Sequence, residues 1–173
     1  MRPELGEAIG TVYGGAVAWI VDYWVHKLGR EPADELEPLT REYWQAGRAV
    51  SAGQYLLGVQ ELQRASRQVA RFLTDYDVWL TPTLAQPPLA IADPHADPAE
   101  VARREAAFAA TPTGVANITG NPAMSVPLYR SQDDLPIGVD FLGRFGDEAT
   151  LLRLAGQLEQ ARPWAHRRPA TTA

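Results

Sequence analysis

The chain has 173 residues and a formal net charge of −5; 46% of its residues are hydrophobic and 21% are charged. This length suits one domain, and the composition is that of a folded globular protein rather than a disordered one. The acidic balance argues against a nucleic-acid-binding protein. The absence of cysteine excludes disulfides, thiolate nucleophiles and cysteine metal sites and is compatible with the cytoplasm, where we expect the protein.

Three helices are predicted in the first 76 residues. Apolar residues recur every three to four positions over residues 4–28, and a shorter amphipathic segment covers residues 39–46. Ser51 and Gln54 have the spacing of a capping box, which predicts a third helix running to about residue 75.

The first helix contains an apolar run, at residues 16–25, that raises the question of a membrane segment. Asp22 interrupts the run, which is shorter than the roughly 20 apolar residues that a spanning helix needs. Arg2 is a weak positive charge and no small-residue cleavage site follows, which disfavours a signal peptide. We therefore expect a core-facing helix and no membrane contact.

The spacing of apolar residues along the chain changes after the third helix. Residues 78–81 form a continuous apolar run followed by prolines, as in a central strand that leads into a loop. The proline-rich residues 82–98 are predicted to be a loop. Residues 98–110 are rich in Ala, Glu and Arg and are predicted to be helical.

The last third of the chain predicts a β-hairpin followed by a helix. Strands are expected over residues 124–128 and 137–142, joined by a turn at residues 131–134. Leu151, Leu154 and Leu158 then repeat at helical spacing, which predicts a closing helix.

None of the four serines has the surroundings of a nucleophile, which requires a base and an oxyanion hole. Ser51 is explained as a helix cap, Ser66 lies in mid-helix and Ser131 lies in the hairpin turn. Ser125 stands in Ala-Met-Ser-Val-Pro, without the G-x-S-x-G elbow of α/β-hydrolases. We interpret it as a strand residue.

The other ionisable candidates also have simpler explanations. Lys27 is the single lysine and lies at the end of the first helix, where a positive charge complements the helix dipole. Asp93, His95 and Asp97 alternate in the predicted loop, a pattern more typical of solvated side chains than of a metal site. We predict no metal and no cofactor.

Turn-forming and amide residues are concentrated between positions 111 and 127, where we predict a loop. Glycine and proline there would shape the entry to the strand at Met124, or would let the backbone approach a ligand closely. Both interpretations stay open. The residues concerned are Thr113, Gly114, Asn117, Thr119, Gly120, Asn121 and Pro122.

Three motifs together resemble the amidase signature family. They are DVWLTPTLAQPP at residues 77–88, NITGNPAMSVP at 117–127 and LPIGVDFLG at 135–143. In order and spacing they are most similar to bacterial 6-aminohexanoate-cyclic-dimer hydrolases. The resemblance covers about residues 34–164 and is weak before Glu31.

The resemblance implies an α/β fold in which helices flank a mixed sheet. It makes residues 1–173 one partial domain, mainly helical over 1–76, with strands, loops and a closing helix over 77–164. The family hydrolyses amides with a Ser-Ser-Lys triad and a Gly/Ser-rich loop upstream of these motifs, and this sequence contains no such stretch. We therefore expect the back third of an amidase, inactive by itself and without catalytic residues.

The resemblance also points to residues that support the active site of the complete enzyme. Trp79 and Phe108 would line the acyl pocket or would be ordinary core aromatics. Asn117 and Thr119 would help to position their loop, together with Thr113 and Gly120.

The expected partner is the remaining N-terminal part of an amidase, or a second copy of this chain. A small amide would be a substrate only of the complete enzyme. The alternative is a non-catalytic subunit that completes a separately encoded N-terminal half. An isolated fragment of a shared sheet would expose an unpaired strand edge and apolar surface, so we expect poor monomeric behaviour.

Overall fold

The computed structural model describes residues 3–32, 34–87 and 113–167. The chain forms two compact units, residues 1–68 and 69–173. The described helices are α1 (Pro3–Leu28), α2 (Pro38–Arg48), α3 (Ala52–Phe72), α4 (Gly114–Thr119) and α5 (Glu148–Ala161). The described strands are β1 (Val78–Pro82), β2 (Ala123–Arg130) and β3 (Pro136–Gly143).

The first three helices confirm the predicted elements to within a few residues. The capping box at the start of α3 is also confirmed. The backbone N–H of Gln54 donates to Ser51 Oγ at 3.2 Å, and the backbone N–H of Ser51 donates to Gln54 Oε1 at 2.9 Å. Two N–H groups that the helix leaves unpaired are thereby satisfied.

The core of the first unit forms where α1 packs on α2. Ala18, Val21 and Trp44 are buried together. The Trp44 indole Nε1 donates to Asp22 Oδ1 at 2.8 Å, which explains why an acidic residue is tolerated within the apolar run of α1. A Cβ atom on Gly47 would overlap the backbone of α1, so this glycine permits the close approach of the two helices.

The second unit contains a three-stranded antiparallel sheet in the order β1-β3-β2. The predicted hairpin and the predicted closing helix are confirmed. Val126, Phe141 and Leu151 form the core between the sheet and α5. Asp147 caps α5, because its carboxylate accepts hydrogen bonds from the backbone N–H and the hydroxyl of Thr150.

Two sequence predictions in this unit need correction. β1 was expected to be a central strand, but β3 is central among the described strands and Leu80 of β1 is 58% exposed. An apolar run predicts a strand that can be buried on both faces, but it does not reveal which neighbours lie in the same chain.

The other correction concerns the segment predicted as a loop, which contains the short helix α4. Gly120 ends this helix at a φ of 71°, in the left-handed conformation typical of a C-terminal cap. α4 has only six residues and no amphipathic repeat, so nothing in its spacing indicates a helix. Its glycine and asparagine are residues typical of loops. The helix predicted over residues 98–110 lies outside the described residues.

No helix among the described residues combines the length and the hydropathy that crossing a membrane requires.

Candidate functional site

Three polar side chains form a row across the sheet, on the face opposite to α5. Asp140 of β3 is in register with Thr81 of β1 and with Ser125 of β2. Residues directly opposite each other on neighbouring strands project from the same face, and their neighbours along the strand project from the other. Phe141 and Val126 therefore face α5, whereas the row Thr81, Asp140 and Ser125 faces away from it.

Asp140 is the most unusual member of this polar row. It is only 5% exposed, and burial raises the pKa of its carboxyl group above the ordinary value. Within the described residues, no hydrogen bond or ion pair reaches its carboxylate. Thr81 Oγ1 is also buried and has no hydrogen-bond partner there. The row therefore places a buried hydroxyl without a partner next to a largely buried carboxylate, which is unusual because buried polar groups in folded proteins are generally hydrogen-bonded.

Ser125 forms the exposed end of the row. Its Oγ lies 2.6 Å from Thr83 Oγ1, and either hydroxyl can donate. Gly138 of β3 lies beneath both, because a Cβ atom at this position would come within 2.6 Å of each hydroxyl oxygen. The glycine thus makes room for the hydroxyl pair. Ser125 is hydrogen-bonded to a threonine hydroxyl, and the polar row contains neither a lysine nor a histidine.

The short helix α4 covers one end of the polar row. Val115 of α4, Trp79, Thr81, Asp140 and Leu142 line a cavity of about 10 Å³, which is roughly the space for one water molecule. Trp79, predicted to line an acyl pocket, is half-buried in this position. Its ring also packs edge-on against Phe72, with ring centroids 5.4 Å apart.

The remaining predicted site residues lie on α4 and at its end. Thr113 is the N-cap of the helix and is half-buried, and Asn117 is exposed. Thr119 Oγ1 donates to the carbonyl of Val115 at 2.9 Å and accepts from the backbone N–H of Asn121 at 3.3 Å.

A glycine and the ring of an exposed phenylalanine meet just after α4. A Cβ atom on Gly120 would lie 3.3 Å from the ring of Phe145. Phe108, the last predicted site residue, lies outside the described residues.

Asn121 is a structural residue to which the sequence analysis gave no individual role. It is buried, and its Nδ2 donates to the Gly143 carbonyl at 2.7 Å, while the backbone N–H of Gly143 donates to Pro122 O at 2.8 Å. These two bonds fix the segment after α4 to the end of β3. Asp140 was not among the predicted site residues, although an acidic residue inside the apolar run of β3 is a visible signal.

Lys27 and the acidic residues around His95 are the other ionisable candidates from the sequence. Lys27 lies on α1, with its ammonium group 5.6 Å from the centroid of the Tyr23 ring. No group of three potential metal ligands occurs within residues 3–32, 34–87 and 113–167. Asp93, His95 and Asp97 lie outside these ranges.

A sequence profile described as Amidase matches residues 19–152 of the chain. This chain belongs to the amidase family. The amidase-family protein AmiC of Mycobacterium leprae (strain TN) is 44% identical over 109 residues, covering 62% of this chain and 23% of that protein. AmiB2 of Mycobacterium tuberculosis (strain ATCC 25618 / H37Rv) is 57% identical over 56 residues, covering 32% of this chain and 12% of AmiB2.

Solved structures extend the similarity to nearly the whole chain. A 6-aminohexanoate cyclic dimer hydrolase matches 98% of this chain and 37% of its own length, with a TM-score of 0.80 and 26% identity. A bacterial aryl acylamidase of the amidase signature family matches with a TM-score of 0.75 and 19% identity, which shows the shared fold alone. The predicted family and the combination of helices with a sheet are confirmed. The matched region amounts to 23% of AmiC and 37% of the cyclic dimer hydrolase.

Proposed function

We propose that this chain supplies the carboxyl-terminal part of an enzyme that hydrolyses amide C–N bonds, and that the attacking serine lies elsewhere in the complete enzyme. The observation that supports this proposal is the Amidase match over residues 19–152, in a chain whose sequence has a single lysine, Lys27 at the end of α1, and no Gly/Ser-rich stretch. A nucleophilic serine needs a base within hydrogen-bond reach.

The contacts of each serine support the proposal that the attacking serine lies elsewhere in the complete enzyme. Ser51 caps α3, Ser66 Oγ donates to the Leu62 carbonyl at 2.9 Å, and Ser131 Oγ accepts from the backbone N–H of Leu135 at 3.1 Å. Ser125 pairs with a threonine hydroxyl. Arginine does not serve as a proton acceptor because it stays protonated.

In the complete enzyme, α4 and the adjoining sheet face would form part of the wall of the acyl pocket. Trp79 and Val115 already border one cavity together with Asp140. The hydrogen bonds of Asn121 and Thr119 hold this wall in place. We assign the pocket-lining or supporting roles to Trp79, Phe108, Thr113, Asn117, Thr119 and Gly120.

The alternative is a non-catalytic subunit that completes a separate N-terminal amidase half. The exposure of large apolar side chains favours an assembly of this kind, because a soluble monomer rarely exposes large contiguous apolar patches. In the first unit these side chains include Trp19, Trp24, Leu56 and Leu57, and in the second unit Leu80, Phe145 and Leu152. The unpaired edge of β1 among the described strands offers a site for a further strand.

Co-expression tests the proposal. The purified chain is assayed on a panel of anilides and short amides, alone and together with an amidase N-terminal half. A Trp79→Ala variant, with Trp24→Ala as the control from the other unit, is assayed in the same way. We expect activity only in the mixture, and we expect Trp79→Ala to alter the acyl preference more than the control does.

Hydrolysis by the chain alone would overturn the proposal. A stable complex that never hydrolyses an amide would favour the non-catalytic subunit.

A further inference from the structure

A cleft of about 680 Å³ lies at the turn end of the β2–β3 hairpin. This volume is within the range of about 300–1,000 Å³ typical of small-molecule sites. The cleft contains no member of the polar row and no residue of α4. Its lining includes the apolar residues Pro127, Tyr129, Pro136 and Trp164 together with His166 and Arg167.

The cleft is lined by one aromatic side chain that packs against the core and by one that is exposed to solvent. Trp164 is half-buried and packs against the core between the sheet and α5. Tyr129 follows a register shift in β2 and is 60% exposed. One ring is therefore anchored by the core, and the other presents its surface to solvent.

A tight turn after α5 places the positively charged side chain of Arg167 at the same cleft. The backbone N–H of Arg167 donates to the Trp164 carbonyl at 2.9 Å, which holds this turn. No ion pair or side-chain hydrogen bond joins the Arg167 guanidinium to the described part of the chain. The other arginine of the cleft, Arg130, is paired with Asp134. Arg167 therefore provides the uncompensated positive charge, in a chain whose net charge is −5.

We propose that this cleft binds a small aromatic carboxylate. The carboxylate would accept two parallel hydrogen bonds from the Arg167 guanidinium, the geometry that arginine favours with such anions. The ring would lie against Tyr129 and Trp164, where aromatic contact and apolar burial both contribute. Inorganic phosphate fits less well, because the proline and aromatic walls offer it few donors. A cationic ligand is disfavoured by Arg167 itself. This site is independent of the amide-hydrolysing function proposed above.

Fluorine NMR of 4-fluorobenzoate, titrated with the purified 173-residue protein, tests the proposal directly. We expect a saturable change of the ligand signal in the millimolar range or tighter. Arg167→Gln should weaken binding by about tenfold or more, because the charge-assisted pair is lost. Tyr129→Ala should weaken it by about threefold to tenfold, whereas Tyr129→Phe should bind like the parent. Arg162→Gln removes an exposed arginine outside the cleft and should leave the affinity unchanged.

The outcomes separate the proposed site from non-specific charge attraction. Circular dichroism confirms that each surface variant is folded before its binding is compared. Cyclohexanecarboxylate should compete more weakly than benzoate, and inorganic phosphate should compete weakest. The proposal is overturned if 4-fluorobenzoate shows no saturable binding, if Arg167→Gln binds like the parent, or if phosphate competes as well as benzoate.

Discussion

Replacing Asp140 by asparagine should stabilise the isolated chain at neutral pH. The substitution keeps the size of the side chain and removes a charge that is only 5% exposed and has no partner among the described residues. Burying a polar group without compensation costs about 1–3 kcal/mol in proteins, and an unpaired charge costs more. Ser125 beside it is exposed, so water approaches this end of the row and the cost stays near that range. Because the asparagine amide would itself be a polar group without a partner, only the part of the cost that comes from the charge is recovered, and we expect a gain on the order of 1 kcal/mol in the free energy of unfolding at pH 7.

The pH dependence of this gain has a definite sign. Burial raises the pKa of Asp140 in the folded state above its ordinary value of 3.8, so the folded state holds the proton more tightly than the unfolded state. This group therefore costs stability as the pH rises from 3.8 through the raised folded pKa, and it costs nothing below 3.8. The advantage of Asp140→Asn should accordingly be full at neutral pH and should disappear below the ordinary pKa.

Urea unfolding of both proteins at a series of pH values measures this difference. Asp133→Asn is the matched control, because Asp133 is exposed in the hairpin turn and its substitution should change stability by less than about 0.5 kcal/mol. The reasoning is refuted if Asp140→Asn is no more stable than the parent at pH 7. A gain that persists unchanged below the ordinary pKa would refute the electrostatic cause.

Three further substitutions test the local contacts by thermal or urea unfolding. Gly138→Ala should destabilise the folded protein by about 1–3 kcal/mol, because the added methyl group overpacks against the Ser125 and Thr83 hydroxyls. The loss should be smaller in a Ser125→Ala background, and an equal loss in both backgrounds would contradict overpacking as the cause. Asn121→Ala should lose about 1–3 kcal/mol because a buried hydrogen bond to β3 is broken, whereas the exposed Asn117→Ala should lose almost nothing; similar losses would argue against this role. Ser51→Ala should cost about 1 kcal/mol by removing the α3 cap, with a parent-like midpoint as the contrary result.

Most helices and the hairpin were predictable because the residues that determine them are close together in the sequence. Helical periodicity and the Ser51–Gln54 capping box indicate where α3 begins, and turn residues between two apolar runs indicate the hairpin. The short helix α4 was not predicted, since six residues give no period to detect and Gly120 is typical of loops as well as of helix caps.

The candidate site was less accessible from the sequence, because it depends on register between distant strands. Thr81, Ser125 and Asp140 meet only when β1 and β2 pair with β3 in the observed alignment. The acidic residue in an apolar strand was a usable signal, but the sequence does not reveal whether such a residue has a partner. The three family motifs contain all three residues, but only the fold reveals that they meet and that the Thr81 hydroxyl is buried without a partner.

Labelling with a serine-directed fluorophosphonate tests most directly the claim that the nucleophile lies outside this chain. The probe bonds covalently to an activated serine, and mass spectrometry of digested peptides locates the modified residue. The chain alone should remain unlabelled, and in an active mixture with an amidase N-terminal half the label should lie on that half. A label on Ser125, in the chain alone or in the mixture, would contradict the account.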